Sequence, residues 1–465
     1  MALHYQLSFA LLAVLVAFVP FWVSPLKDCV QIPELASRKL ESLETNTLLS
    51  EAEHLFKDDL IGPESLAVDL SGSLITGLAD GRIVKIYEEE VGKRLRYTVL
   101  ARTGIDDPKC GSSIEFEEEC GRPLGLELIN NAKTLIVLDT KGVLSLDMAT
   151  NELTTLVTHS DDGVAITLPN AVVESHDGKL LYFTDTSLVH QRRRIFWAAM
   201  SGARNGLTVA YLHASSSLAF ITLITWREIY MCKCTSAVRK TKSMISKAAG
   251  LSFCESNRLG TQHLVHKANF ETLSVVSDGL FMPNGLVREY DSPCVLIALT
   301  MIGEIKRYCP EGDKAGLSTF ASNIPGTLDN IRQYEDPSIG IQAYTVGIGT
   351  KMAKPFSLPW FLAPYPSFRR WICGLPMPYE WLYKLVPKYG MILFLDKDGK
   401  VVQTLQDPTG RTSWISEAVV SNGSLWAGSW LNRHIVRLPW SSSSAATEGS
   451  AWGETSAALR SLIKS

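Results

Sequence analysis

The chain has 465 residues and a mass of 51.2 kDa, 46% of them hydrophobic and 20% charged, a balance that supports a large core and excludes a disordered or collagen-like chain. The 45 basic residues against 48 acidic ones leave a net charge of −3, which excludes the basic stripe of a nucleic-acid binder. Nine cysteines are too few for a scaffold held by disulfides.

In chain order, the first element is the apolar run 7–23, LSFALLAVLVAFVPFWV, whose character continues to Leu26. About 20 helical residues cover the ~30 Å of a bilayer core. The run therefore reads as a signal anchor over 1–26, a single-pass type II topology; the alternative is a cleaved signal peptide and a secreted protein. No A-x-A site follows it, and the flanking charges are too few to set orientation. Residues 27–54 read as a stalk, 55–440 as the folded body, and the Ser/Ala/Gly-rich 441–465 as a flexible tail.

The body reads as strands and turns. Hairpin signals stand at Asp80-Gly81, Lys141-Gly142, Asp177-Gly178, Ile302-Gly303, Asp398-Gly399 and Asn422-Gly423, each between apolar runs. Six such units follow one another between 64 and 440. A recurring unit of short strands, with almost no helical periodicity, predicts an all-β, six-bladed β-propeller, which removes its sheet edges by closing into a ring. The pattern collapses over 206–257, which reads as an atypical insertion and a candidate gene-model artefact. Cys232 and Cys234 within it have no second ligand pair for a metal.

Cys110 and Cys120 lie ten apart in the loop CGSSIEFEEEC. That spacing is not C-x2-C, and it predicts a loop-closing disulfide in an oxidising compartment, two unrelated thiols being the alternative. Asn422-Gly423-Ser424 is a glycosylation sequon. Both features put the body in the lumen of the endoplasmic reticulum or outside the plasma membrane.

Polar residues at blade starts converge on a propeller's axis. Glu64, Asn170, Asn284, Asp329 and Asn330 each precede an apolar strand. Their carboxylate and amide oxygens form a hard donor set that suits Ca²⁺ rather than Zn²⁺; the alternative is that Asn and Asp only form turns. Gln191–Arg194 reads as a solvated charge run, and His159, His176 and His434 as surface residues. The Trp/Pro/Phe-rich stretch 355–390 suits a membrane-surface contact, a channel lid or the packed core of an inter-blade insertion. No G-x-S-x-G elbow is present.

The motifs GPESLAVD, ADGRIVKIY, CGRPLGLEL, LYFTDTS, GLFMPNGLV, PGTLDNIR, LVPKYGMI and ISEAVVSNGSLWAGSW resemble the strictosidine-synthase-like family, and within it the adipocyte plasma membrane-associated protein group. The resemblance covers about 55–203 and 264–440. It implies a six-bladed propeller related to the paraoxonases and senescence-marker lactonases, an N-terminal anchor and arylesterase-type hydrolysis. It also implies an axial Ca²⁺ held at Glu64, Asn170, Asn284, Asp329 and Asn330. Ala171 departs from the family's Asn-Asp pair. Leu124 and a position near Thr140 stand where paraoxonase-like enzymes carry a His pair. Ser416 stands where strictosidine synthase has its catalytic Glu, with Glu417 one step away; a one-residue slip turns a strand side chain to the other face, which argues against strictosidine synthesis.

The expected function is therefore a membrane-anchored, calcium-dependent hydrolase of small carboxylic esters or lactones, with Glu417 as candidate base. The alternative is a non-catalytic propeller that binds a small ligand or protein partner and holds a structural calcium. No nucleic-acid partner is expected.

Overall fold

The hairpin signals become six antiparallel sheets in the computed structural model, which describes residues 14–15, 18–26, 29, 32, 43–89, 94–159, 165–187, 189–201, 210–214, 262–267, 270–275, 277, 279–336, 340–352, 361–375 and 386–441. The turns form where backbone freedom allows them. At the last hairpin, Ser421 pairs with Ser424 across Asn422 (φ 48°) and Gly423 (φ 68°), a two-residue turn with both φ angles positive.

One strand of each sheet lies innermost: Leu66–Val68, Pro123–Ile129, Pro169–Glu174, Pro283–Arg288, Gly326–Asp336 and Glu417–Ser421. Each touches the next in this order, and the last touches the first, so the ring closes. Six apolar clusters fill the spaces between consecutive sheets. Ala67, Ile75, Leu126 and Val137 form one of them, and Leu296, Ile305, Val346 and Leu393 another. Strands such as Val295–Leu299 are buried on both faces because a neighbouring sheet covers each.

The expectation of six like units is met by five sheets, each of four strands. The third departs from it with five strands: Pro169–Glu174, Leu180–Asp185, Ala210–Ala214, Phe270–Val275 and Gln262–Lys267 in spatial order. The insertion drawn at 206–257 must be corrected at its start, since Ala210–Ala214 pairs with Leu180–Asp185; 215–257 lies outside the described residues.

The predicted anchor falls largely outside the described residues. Among those described, including the helical 14–15 and 18–23, no helix is long and apolar enough to cross a membrane. The tail 442–465 is also outside them.

The ring is latched by its N-terminal end. Glu53–Leu55 pairs with Ile435–Pro439 and becomes the outer strand of the last sheet. At this latch His54 stacks on His434 with ring centroids 4.0 Å apart. His434, expected at the surface, instead has a buried Nε2 without a hydrogen-bond partner. Burial first, then the neighbouring His54, Lys57 and Arg411, pushes His434 down to about 4 from 6.5, with Asp58 opposing; burial, Arg411 and Lys57 lower His54, with Asp407 opposing. A histidine held neutral in the fold binds its proton more tightly when unfolded, so stability is present above pH 6.5 and is lost as pH falls toward 4. The melting temperature is expected to drop over that window in the wild type and to drop less steeply in His434→Gln. Equal slopes in the two proteins would remove the latch from the account.

Candidate functional site

Three inner strands begin at a proline (Pro123, Pro169 and Pro283) and a fourth directly after Pro325, and these four carry a register shift at that end. The shifts fall between Pro123 and Gly125, Pro169 and Val172, Pro283 and Leu286, and Leu328 and Ile331. Bulges of this kind re-aim side chains. The residues inside them are Leu124, Asn170-Ala171, Asn284-Gly285 and Asp329-Asn330. Glu64 precedes the first inner strand. The sequence candidates for a metal thus sit at the starts of the first, third, fourth and fifth inner strands.

Close backbone packing sets their positions. A Cβ on Gly285 would lie 2.6 Å from the Asp329 carbonyl oxygen, and one on Gly125 would lie 2.3 Å from that of Asn170. Only glycine permits these approaches. Thr184 Oγ1 bridges two sheets, accepting from Ala171 N at 3.0 Å and donating to Asn284 O at 2.7 Å. Asn330 N donates to Ser416 O at 2.9 Å, and Ser416 Oγ donates to Glu64 O at 2.7 Å. Ser416 is therefore a backbone tie between sheets.

All five candidates are buried, between 3% and 7% exposed. Asn170 Oδ1, Asn284 Oδ1 and Asp329 Oδ1 are buried without any hydrogen-bond partner. Asn330 is brought to the same end, but its orphan is Nδ2. Burial, then the negative charge of Glu64, pushes the Asp329 carboxyl well above the usual range; the Asn284 amide, which donates to it, opposes this, and Glu417 raises it further.

Sequence reading missed the cations around these acids. Arg122 is 0% exposed. Its guanidinium donates to Gly62 O at 2.6 Å, Glu64 Oε2 at 3.0 Å and Trp430 O at 3.3 Å. Arg192, within the run expected to be solvated, is buried: Nη1 meets Glu117 Oε1 at 2.5 Å, and the guanidinium lies over the Trp430 ring. Arg332 leaves the fifth inner strand and donates to Ser65 Oγ at 3.0 Å and Leu126 O at 3.1 Å. It also pairs with Glu417 and, at 3.5 Å, with Glu127. It thereby ties the fifth inner strand to residues of the first, second and sixth sheets.

Glu417 is fully buried with both oxygens engaged, Oε1 by Arg332 Nε and Oε2 by Leu66 N at 2.5 Å. Leu124 is buried, and the Thr140 hydroxyl donates to Glu117 O at 3.2 Å, so neither offers a base. His176 Nε2 lies 3.0 Å from Glu289 O, and His159 Nδ1 lies 2.8 Å from Thr158 Oγ1. The carboxylates Glu64, Glu117, Glu127, Asp329 and Glu417 share this region with the guanidiniums of Arg122, Arg192, Arg332 and, beside Glu127, Arg288. The three orphaned oxygens, with the Glu64 carboxylate, fit a hard cation.

Cys110 and Cys120 form the expected disulfide. A second, Cys294–Cys309, was missed. Asn422 is exposed in its turn, with its amide donating to Gly72 O at 3.3 Å.

Comparison with known proteins places these observations in a context. A family model for the N-terminal part of strictosidine synthase-like proteins matches residues 42–86. The adipocyte plasma membrane-associated protein of Homo sapiens is 30% identical over 402 residues, covering 85% of this chain and 79% of its own; that of Danio rerio is 30% identical over 401 residues with the same coverage. Protein strictosidine synthase-like 3 of Arabidopsis thaliana is 26% identical over 416 residues, 88% of this chain and 89% of its own. Among solved structures, a gluconolactonase from Xanthomonas campestris aligns with a TM-score of 0.45 at 14% identity, over 90% of this chain and 99% of that one.

Proposed function

The chain belongs to the family of the adipocyte plasma membrane-associated proteins, and on that premise we propose that it is a membrane-anchored, calcium-dependent hydrolase of small carboxylic esters or lactones, working at the propeller axis. The observation that carries the reading is the set of orphaned oxygens on Asn170, Asn284 and Asp329. An unsatisfied buried polar atom costs about 1–3 kcal/mol, and three at one end of neighbouring strands match what Ca²⁺ takes as ligands. Glu64, Asn170, Asn284 and Asp329 would hold the ion, with Asn330 joining once its amide is turned end over end. Bound there, Ca²⁺ would supply Lewis-acid polarisation of an ester carbonyl.

The chain's own groups do the positioning. Arg122 fixes the Glu64 carboxylate, and Asn284 fixes that of Asp329. Arg332 ties the fifth inner strand to the first, second and sixth sheets, and a substrate enters from the end where the inner strands begin. Arg192 over Trp430, and Trp414 edge-on to Trp430 at 5.5 Å, provide an aromatic wall for an aryl or alkyl group.

Membrane attachment is proposed on the apolar run 7–23, on the naming of the relatives as plasma membrane-associated, and on exposed apolar residues. Phe18, Trp22, Val23, Phe361, Tyr365 and Phe368 are all exposed. Phe21, the residue before Trp22, is tied through its carbonyl to the helix Pro366–Cys373, whose Arg370 donates to it at 3.3 Å. A glycan on Asn422 is proposed with this topology.

A second reading, a ligand-binding propeller with a structural calcium, is favoured by the engagement of both Glu417 oxygens. Phenyl acetate and a δ-lactone, given to the detergent-solubilised full chain with calcium and with chelator, separate the two. The hydrolase reading expects turnover that chelator abolishes at temperatures far below unfolding. The second expects no turnover above the calcium blank, with chelator lowering the melting temperature.

A further inference from the structure

The segment after the apolar run is docked on the propeller. Ile32 is buried among Leu280, Phe281 and Met352 between the third and fourth sheets. Leu26 is buried with Met200, Leu362 and Cys373. Cys29, between them in sequence, packs against this second cluster, and its Sγ donates to Met200 O at 3.2 Å. It also takes a hydrogen bond from the backbone of Arg370. Arg370 stands three residues before Cys373 on the helix Pro366–Cys373, one turn away on the same side. Arg369 Nη1 donates to the same Met200 carbonyl at 2.5 Å. Two thiols from opposite ends of the chain thus share one apolar pocket.

We propose that Cys29 and Cys373 are joined by a disulfide in the mature protein, clamping the segment after the apolar run onto the helix Pro366–Cys373. They are the two free cysteines among the described residues; the other four form Cys110–Cys120 and Cys294–Cys309. A compartment that keeps those two bonds oxidised oxidises a third neighbouring pair as well. A metal or nucleophilic role for the pair is disfavoured by its surroundings. Burial raises both thiols, Cys373 up to about 12, and each would need to be a thiolate for either task.

The chemistry is thiol–disulfide exchange, with a small-molecule or protein disulfide as oxidant. The Cys29 thiolate attacks one sulfur of the oxidant and expels the other as a thiolate. The Cys373 thiolate then attacks the mixed disulfide at the Cys29 sulfur and expels the second. Two protein thiols are oxidised to one disulfide, and the oxidant is reduced to two thiols. Because the pocket suppresses the thiolates, the exchange belongs to folding, before the helix covers Cys373. The first four sheets and half of the fifth lie between the two positions, so the bond restricts the unfolded chain strongly. It also fixes the side of the propeller that faces the anchor.

The test is disulfide mapping of the full chain made in a secretory system, denatured in excess alkylating agent and digested without reduction. The expected result is a cross-linked peptide pair carrying Cys29 and Cys373, lighter by two hydrogens than the free pair and separated by reductant. Recovery of both cysteines alkylated, with Cys110–Cys120 and Cys294–Cys309 intact as internal controls, would overturn the proposal, as would either cysteine bonded to a different partner. Cys29→Ser is expected to leave Cys373 fully alkylated and to lower the melting temperature of the oxidised protein while Cys110–Cys120 and Cys294–Cys309 stay formed. If that variant fails to fold, the wild-type map still decides.

Discussion

Arg122→Ala is expected to destabilise the protein by about 3–5 kcal/mol, the usual cost of breaking a buried ion pair from one side. The guanidinium is fully buried and satisfies Gly62 O, Trp430 O and the Glu64 carboxylate together. Its removal leaves a buried negative charge and the Gly62 carbonyl without its donor, while Trp430 O keeps the one from Arg192. The deficit should shrink in the presence of calcium, because an ion beside Glu64 replaces part of the lost positive charge. Denaturant unfolding of wild type and variant, each with calcium and with chelator, checks this. The same deficit in both conditions would mean that no cation reaches Glu64.

Asp329→Asn should produce an opposite pair of effects. In chelator the variant is expected to be at least as stable as the wild type, since Asp329 lies buried within reach of the like charges of Glu64 and Glu417. In calcium it should lose the stabilisation that the wild type gains, which at a hundredfold excess over Kd is about 2.7 kcal/mol. Ester hydrolysis should fall by at least about 100-fold, the scale set by losing an electrostatic stabiliser of the reacting oxygen. Melting curves and initial rates give both readouts. A variant that keeps the calcium response would remove Asp329 from the site.

The parts of this protein that local chemistry dictates were legible in its sequence. Asn422-Gly423 demands positive φ angles and forms the hairpin turn. Asn170 and Asn284 each follow a proline and open an apolar strand, and each sits in a bulge at the same end of the ring. Cys110 and Cys120 close their own loop. Cys294–Cys309 was equally accessible, because a hairpin centred on Met301-Ile302 pairs Val295 with Tyr308 and places the next residues out opposite each other. It was missed by reading the turn and not the register.

What could not be read depends on partners far away in sequence. Arg192 lies in a basic run, and local charge density says surface; Glu117, 75 residues away, draws it inside. Arg122 and Glu64 are 58 residues apart, and nothing near either announces the pair. Glu417 looked like a free carboxylate until Arg332, 85 residues away, took one of its oxygens. The third sheet differs from the other five because its strands resume on the far side of a segment whose apolar pattern carries no blade signal.

The central claim is that blade starts from distant parts of the chain converge to hold one divalent ion. A crystal structure of the protein grown in calcium tests it directly. The account predicts a single ion on the axis, with side-chain oxygens of Glu64, Asn170, Asn284 and Asp329 at about 2.3–2.6 Å. An axis holding only water, with those four side chains hydrogen-bonded among themselves, would contradict it.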